Sequence, residues 1–294
     1  MSSLKKKQIS LKVVLALSFA ILFWASAFVA IREALSSYSP GGLALLRFTI
    51  ASLVLLIYAL KKKMKFPLVK DLPYFFIIGF AGITVYHVAL NFGELTVTAA
   101  TSSFIINSIP VLTAILSLLL FKEKIKTWKW IGILLSFIGI ALISFSEGEV
   151  GHFNYGILLV LMSAIGGSLY VVFQKKLLDR YNALEVTAWA IWIGTAFMLI
   201  FVPSLISDFR HATLKATMDV FYLGLFPAAI SYLLWAYALS KFESATSITT
   251  YLYLSPLLTT IIGLIWIREI PVNLALVGGL IVLSGMILAN TKGK

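Results

Sequence analysis

Two prolines lie in the interior of long apolar segments, and each has a larger polar residue three positions earlier. Asn107 precedes Pro110, and Tyr253 precedes Pro256. A proline within a helix removes one backbone hydrogen bond, and lipid offers no partner for the carbonyl that is released. Such a helix break therefore favours a site that faces a watery cavity, where polar side chains can bind a solute. A packing kink without ligand contact is the alternative interpretation.

Helical spacing places further small and polar residues on the face that carries each proline. The two faces consist of Ser103, Asn107, Pro110, Ala114 and Ser117, and of Thr249, Tyr253, Pro256, Thr260 and Gly263. Faces of this kind occur at tight helix–helix contacts as well as along cavities. Asn107 and Tyr253 favour a cavity because each is large and polar for such a face. We expect these two side chains to form hydrogen bonds with a substrate.

Three aromatic residues complete the hypothetical binding site. Trp24 and Trp235 lie deep in predicted spans, and Tyr170 lies on a face with other polar or small residues. We expect their rings to pack against the apolar part of a substrate, because aromatic faces accept apolar and cationic groups. Packing within the helix bundle is the alternative for all three.

His87 is the one histidine that falls within a predicted span. It could bind substrate or titrate near neutral pH, and a structural hydrogen bond to a neighbouring helix is equally compatible with its position. We predict no metal site, because His152 and His211 fall in predicted loops and the chain has no cysteine.

Arg47 is the one charged residue that is clearly embedded in a predicted span. A guanidinium in this position could bind an anionic group such as a carboxylate. The sequence favours a structural charge instead, which either extends outward to the interface or pairs with Glu33 or Glu94.

The composition identifies the elements that position these residues. Of the 294 residues, 60% are hydrophobic and 12% are charged, and the mean hydropathy is +0.98. Soluble domains have about 25% charged residues, so this chain is an integral membrane protein. Ten apolar segments are long enough to span a bilayer, and they predict an all-α fold of ten transmembrane helices. The segments are 11–31, 41–60, 72–92, 98–121, 128–146, 153–174, 184–206, 219–240, 244–267 and 272–290.

The basic residues predict the orientation of these helices. Most of the 24 lysines and arginines fall in the loops on one side of the predicted membrane, as in the run Lys61-Lys62-Lys63. Cytoplasmic loops retain positive charge, so we predict that both termini lie in the cytoplasm. The lack of a targeting segment favours a bacterial inner membrane. The net charge of +12 is then a topology signal, and no nucleic-acid partner is predicted.

The two halves of the chain, 1–146 and 147–294, resemble each other. Ala100-Thr101-Ser102 recurs as Ala245-Thr246-Ser247, and Gly79 corresponds to Gly224. Because each half contains five predicted spans, the second repeat must cross the membrane in the opposite sense. Inverted repeats are typical of secondary transporters, although a channel or a membrane enzyme could also be a duplicated bundle.

Glycines recur at matching positions in the fifth and tenth spans. They are Gly132, Gly139, Gly278 and Gly285. Glycine permits close approach of helices, and a dimer interface is the functional alternative. The sequence is compatible with a monomer or a weak homodimer.

Several of these motifs resemble the EamA-type module of the drug/metabolite transporter superfamily. The resemblance rests on Leu46-Arg47-Phe48, on the run from Ala89 through Pro110 to Gly132, and on the second copy from Tyr237 through Pro256 to Gly278. It covers nearly the whole chain. It implies a ten-helix transporter of small metabolites, often amino acids or related compounds and often in the export direction.

The sequence thus predicts a secondary transporter that works by alternating access at a central cavity between the repeats. No acidic residue falls near the middle of a span, which favours a facilitator or exchanger without ion coupling. Its partners would be a small-molecule substrate and the lipid bilayer, with no cofactor. A channel-like pore is the alternative. An integral-membrane enzyme is disfavoured because the sequence offers no convincing nucleophile–base pair, acidic cluster or set of metal ligands. The lack of a nucleotide-binding loop motif argues against direct ATP coupling.

Overall fold

The computed structural model describes residues 10–62, 64–121, 127–147, 154–242, 245–270 and 273–291. Within these ranges the chain is helical and contains no strand. The α-helices are α1 (Leu11–Ala34), α2 (Pro40–Leu60), α3 (Leu72–Gly79), α4 (Tyr86–Gly93), α5 (Ala99–Ile106), α6 (Ile109–Phe121), α7 (Thr127–Glu147), α8 (Tyr155–Leu177), α9 (Ala183–Met198), α10 (Val202–His211), α11 (Leu214–Leu223), α12 (Ser231–Leu239), α13 (Ala245–Thr249), α14 (Ser255–Trp266) and α15 (Asn273–Thr291).

Seven continuous helical segments of the described chain are long and apolar enough to cross a membrane. They are Leu11–Ala34, Pro40–Leu60, Val69–Gly93, Ala99–Leu120, Tyr155–Leu177, Ala183–His211 and Leu214–Leu239. Three further helical stretches are also apolar but shorter, namely Trp130–Gly139, Ser255–Trp266 and Leu276–Gly285. The prediction of an all-helical membrane protein is confirmed at this level.

Polar residues define where several helices begin. The side chains of Ser39, Thr98, Asn154, Asn182 and Thr213 each accept a hydrogen bond from a backbone N–H in the first turn of the helix that follows. These caps satisfy donors that have no partner within a helix. Asn182 also forms a reciprocal capping box with Glu185.

Both prolines singled out in the sequence mark helix breaks. Helix α5 ends at Ile106, and α6 begins at Ile109, so that Pro110 stands in the first turn of a new helix. A 3₁₀ segment, Thr250–Leu254, precedes α14, whose second residue is Pro256. The N–H groups in the first turn of a helix have no partner within the helix, so the missing N–H of proline costs nothing there. A new helix accordingly begins just before each proline.

Two spans contain a π-helical segment. Phe80–Val85 joins α3 to α4, and Gly224–Ile230 joins α11 to α12. The wider turn of a π-helix leaves carbonyls free for other donors, and such segments often occur at functional sites. Here the backbone carbonyl of Pro227 accepts a hydrogen bond from Trp24 Nε1 at 3.0 Å.

The first helix of each half of the chain packs mainly against helices of the other half. Helix α1 packs against α11, α12 and α14, whereas α8 packs against α3, α4 and α6. Each of these two helices therefore lies among helices from the other half of the sequence. The surfaces that α1 and α8 present to the centre of the bundle form part of the walls of the site described below.

The recurring glycines bring α7 and α15 into direct contact within one chain. A Cβ atom added at Gly139 would lie 2.6 Å from the Gly278 carbonyl oxygen, and one added at Gly285 would lie 2.5 Å from that of Gly132. Ser136 Oγ donates to the carbonyl of Gly132 at 2.9 Å and lies 3.2 Å from that of Val282. The glycines thus serve an intramolecular contact, and they give no support to the alternative of a dimer interface.

Candidate central cavity

A cavity of about 80 Å³ lies at the centre of the bundle. Its walls come from α1, α2, α4, α8 and α12, from the first π-helical segment, and from the two helix breaks, between α5 and α6 and before α14. This volume holds several water-sized groups, since about 10–15 Å³ suffices for one. The lining residues are Trp24, Ala27, Phe28, Ile31, Arg47, Gly82, Tyr86, His87, Leu90, Ile106, Asn107, Ile109, Gly167, Tyr170, Val171, Tyr232, Trp235, Leu252 and Ser255.

The structure places most of the predicted site residues at this cavity. The five are Trp24, His87, Asn107, Tyr170 and Trp235. The side chain of Tyr253, the sixth, lies outside the part of the chain that the structure describes. Pro110 and Pro256 do not line the cavity themselves, but the breaks beside them contribute Asn107 and Ser255 to its wall.

Aromatic rings form one continuous wall. The Trp24 ring lies 5.2 Å from that of Trp235 and 5.4 Å from that of Tyr232, measured between centroids. The ring of Tyr170 lies 5.4 Å from that of Tyr232 in an edge-to-face contact. Gln174 Nε2 donates to the Tyr170 hydroxyl at 2.8 Å and fixes the position of that ring. Such a wall offers apolar surface and π faces to a bound solute.

His87 connects the two halves of the chain. Its Nε2 lies 2.8 Å from the hydroxyl of Tyr232, and its ring lies 4.5 Å from the rings of Phe48 and Tyr86. Nδ1 is buried and has no hydrogen-bond partner in the described residues. The structural hydrogen bond considered in the sequence analysis is therefore present, and one ring nitrogen remains available at the cavity.

Asn107 uses one end of its amide to stabilise the helix break. Nδ2 donates to the carbonyl of Ser103 at 2.8 Å, at the end of α5. Oδ1 is buried and has no partner among the described residues. Because Asn107 lines the cavity, this oxygen can accept a hydrogen bond from a solute. Trp235 Nε1 is likewise buried and unpartnered, and it can donate one.

The position of Arg47 differs from the structural expectation. Its side chain is 1% exposed and lines the cavity, so it does not extend to the interface. No carboxylate in the described part of the chain forms an ion pair with it. Glu33 pairs with Lys215 at 2.7 Å, and both oxygens of Glu94 are unpartnered. The predicted ion pair of Arg47 with Glu33 or Glu94 is therefore not formed in the described residues, and Glu33 is engaged by Lys215 instead.

Tyr232 and Tyr86 are cavity residues that our sequence analysis missed. The internal repeat carried a signal for Tyr232, which lies 145 positions after His87. Gly79 and Gly224 are separated by the same interval. Tyr86 had no such signal in the sequence. Among the residues described, no three potential metal ligands converge.

Polar contacts hold the bundle together at one end, which we call the Arg32 end. Arg32 Nη1 donates to the backbone carbonyl of Glu94, and its Nε lies 3.5 Å from Glu269 Oε1. Glu269 Oε2 accepts a hydrogen bond from the backbone N–H of Ala99 at 3.0 Å. Helices from both parts of the chain therefore meet at one arginine.

A second group of contacts lies at the opposite end, which we call the Asp71 end. Asp71 accepts hydrogen bonds from Arg180 at 2.7 Å and from the hydroxyl of Tyr181 at 3.0 Å. Burial raises the pKa of Tyr181, so its hydroxyl stays protonated and can donate. Glu185 accepts from the backbone N–H of Lys65 at 2.8 Å. These contacts tie the start of α3 to the loop between α8 and α9.

Comparison with known sequences identifies the family. The EamA-like transporter family matches residues 11–145 and again residues 154–291. The chain belongs to the EamA-like transporter family. The resemblance inferred from the sequence motifs is thereby confirmed, and so is the prediction of a multi-pass integral membrane protein.

Individual EamA relatives cover nearly the whole chain. An uncharacterized transporter of Bacillus subtilis (strain 168), YdfC, is 38% identical over 98% of this chain and 94% of its own length. A probable terminal-alkyne amino-acid exporter of Streptantibioticus cattleyicolor is 37% identical over 96% of this chain and 94% of its own length. These names identify membrane transport as the general function of this group.

A solved crystal structure has the same overall fold. It aligns with a TM-score of 0.65 over 96% of this chain and 98% of the matched chain, at 18% sequence identity. At this identity the likeness concerns the EamA fold alone.

Proposed function

We propose that this protein is a secondary transporter that exports an amino acid or a related small metabolite by alternating access at the central cavity. The observation that carries the proposal is the cavity itself. It lies between α1 and α8, whose packing partners come from opposite halves of the chain, and it presents unpartnered polar atoms beside an aromatic wall. A movement of one half against the other would change the side from which this cavity is reached.

The proposed architecture is ten transmembrane helices in two inverted repeats, 1–146 and 147–294. The seven long spans and the three shorter apolar stretches support this number if each of them crosses the membrane once. The two π-helical segments begin 144 positions apart, at Phe80 and Gly224. The hydrogen bond between His87 and Tyr232 joins residues 145 positions apart, as expected where two repeats meet at a central axis. Each point supports the repeat without depending on sequence identity.

The proposed location is a bacterial inner membrane, with both termini in the cytoplasm. This orientation places the Arg32 end outside and the Asp71 end inside. The run Lys61-Lys62-Lys63 then follows α2 on the cytoplasmic side, in agreement with the distribution of positive charge. Arg32 and Glu269 become candidates for an outer gate, because they connect α1 with the chain just beyond α14.

The relatives support the substrate class and the direction. One relative is named as a probable amino-acid exporter, and it aligns over almost the full length of both chains. The cavity combines hydrogen-bonding atoms with aromatic surface, which suits a small molecule with a polar head and an apolar side chain. We propose transport without ion coupling, because the cavity lining contains no carboxylate.

Counterflow in proteoliposomes tests this proposal. Vesicles containing the purified protein are loaded with a mixed pool of amino acids, nucleotides and small organic ions, and exchange is followed by mass spectrometry without an ion gradient. We expect saturable exchange of amino acids. Leak of all small solutes without saturation would indicate a pore. Exchange that appears only with an imposed proton or sodium gradient would contradict uncoupled transport.

A further inference from the structure

We propose that Arg47 binds the carboxylate of the transported substrate, so that the substrate class is a small carboxylic acid with an apolar side chain. The inference rests on the proposed transport function and makes its substrate more specific. Its basis is a buried positive charge at the centre of the bundle. Arg47 is almost completely buried, and its side chain belongs to the wall of the central cavity.

The protein itself supplies no counter-charge in direct contact with Arg47. Nε and Nη1 of the guanidinium have no hydrogen-bond partner in the described chain, and no ion pair involves this residue there. Phe48 offers its ring, 5.4 Å from Cζ, which attracts a cation but carries no negative charge. A buried charge is strongly unfavourable unless it is paired, so the cavity is arranged to receive an anion.

Glu94 does not provide the missing partner through a direct contact. Glu94 is buried at the end of α4, and neither of its carboxylate oxygens accepts a hydrogen bond in the described chain. Glu94 is absent from the cavity wall, whereas Arg47 is part of it. A solute in the cavity can therefore reach the guanidinium without displacing an existing salt bridge.

The other free atoms at the cavity define the rest of the substrate. Asn107 Oδ1 is an acceptor without a partner, and Trp235 Nε1 is a donor without one. The rings of Trp24, Tyr170 and Trp235 supply apolar surface. A planar carboxylate matches the donor geometry of a guanidinium, and an apolar side chain matches the aromatic wall. An ammonium group, where the substrate has one, would find Asn107 Oδ1 and the π faces.

The first test compares acids with their amides on the unmodified protein. The probes are L-norvaline and L-phenylalanine, each paired with its carboxamide, which retains the shape but lacks the negative charge. Binding is measured as the ligand-induced rise in unfolding temperature of the purified protein, and transport as saturable exchange of the same acids in proteoliposomes. We expect at least one acid to bind about thirtyfold more tightly than its amide.

The second test uses variants of Arg47. Arg47→Gln removes the charge, and we expect it to abolish the difference between acid and amide. Its unfolding temperature without ligand should equal or exceed that of the unmodified protein, because an unpaired buried charge is removed. A structural arginine would give the opposite change in stability. Arg47→Lys keeps the charge and should retain part of the preference. Arg210→Gln, at an exposed position in α10, is the matched control and should change nothing.

The outcomes separate this inference from the proposed function. Saturable exchange with equal affinity for acids and amides would overturn the role of Arg47 and leave the transporter intact. A folded Arg47→Gln variant that still prefers acids would also overturn it. If none of the probes and no amino acid of the mixed pool exchanges saturably or stabilises the protein, both the inference and the proposed function fail.

Discussion

At the residue scale, the cavity combines side chains that are already engaged with atoms that are free. His87 and Asn107 each use one polar atom within the protein and leave another without a partner in the described chain. The engaged atom holds the side chain in place, which limits the conformational entropy that binding would remove. This division of roles leads to two predictions about single substitutions.

Asn107→Ala should weaken substrate affinity about tenfold, because it removes the acceptor Oδ1 from the cavity wall. It also removes the hydrogen bond from Nδ2 to the carbonyl of Ser103, so a small loss of stability accompanies it. Ser102→Ala is the control, since it removes another buried, unpartnered side-chain oxygen of α5 at a position outside the cavity lining. The KM for exchange measures the effect, and equal changes in both variants would contradict a binding role for Asn107.

Tyr232→Phe should raise KM about fivefold, since the His87 ring loses the partner that orients it while the aromatic wall stays in place. Tyr222→Phe is the matched control. It removes a comparable hydroxyl contact, 2.6 Å from Ser26 Oγ, at a position outside the cavity. An unchanged KM in the Tyr232 variant, or the same change in both variants, would speak against the His87–Tyr232 pair as part of the site.

At the element scale, the close contact of α7 with α15 depends on glycine. Gly139→Ala should lower the free energy of unfolding by about 1–3 kcal/mol, because its Cβ would meet the Gly278 backbone 2.6 Å away. Gly263→Ala provides the comparison, as the nearest atom to its Cβ, on Val29, is 3.7 Å away. That variant should be neutral or slightly more stable. Denaturation of both purified proteins measures the difference, and an equally stable Gly139 variant would refute the contact.

The elements were more accessible to sequence analysis than the contacts between them. Hydropathy and proline positions predicted the apolar spans and the breaks at Asn107 and before Pro256, because these depend on local chemistry. The two π-helical segments were not predicted, since no residue pattern distinguishes Phe80–Val85 from ordinary helix. Arg47 was misjudged for a different reason. Helical spacing indicates the face on which a residue lies, but it does not identify the opposing surface.

At the scale of the whole molecule, the orientation in the membrane can be tested by labelling single introduced cysteines, because the chain has no native cysteine. Lys62→Cys lies in the exposed loop after α2, and His211→Cys lies at the exposed end of α10. We expect an impermeant thiol reagent added to intact cells to label residue 211 and to spare residue 62. Opening the cells should expose residue 62 as well. The reverse pattern would invert the proposed orientation.

Alternating access at the central cavity is the central claim, and a cysteine at Ser255 tests it most directly. Ser255 lines the cavity, whereas Ser136 is equally buried between α7 and α15 and provides the control. In vesicles of either orientation, a small impermeant thiol reagent is added to one side, with and without a transported amino acid. We expect the reagent to label Ser255→Cys from both sides, and substrate to protect it. Ser136→Cys should not be labelled, and the reagent should not cross the membrane. Labelling from one side alone, or reagent that crosses freely, would contradict alternating access.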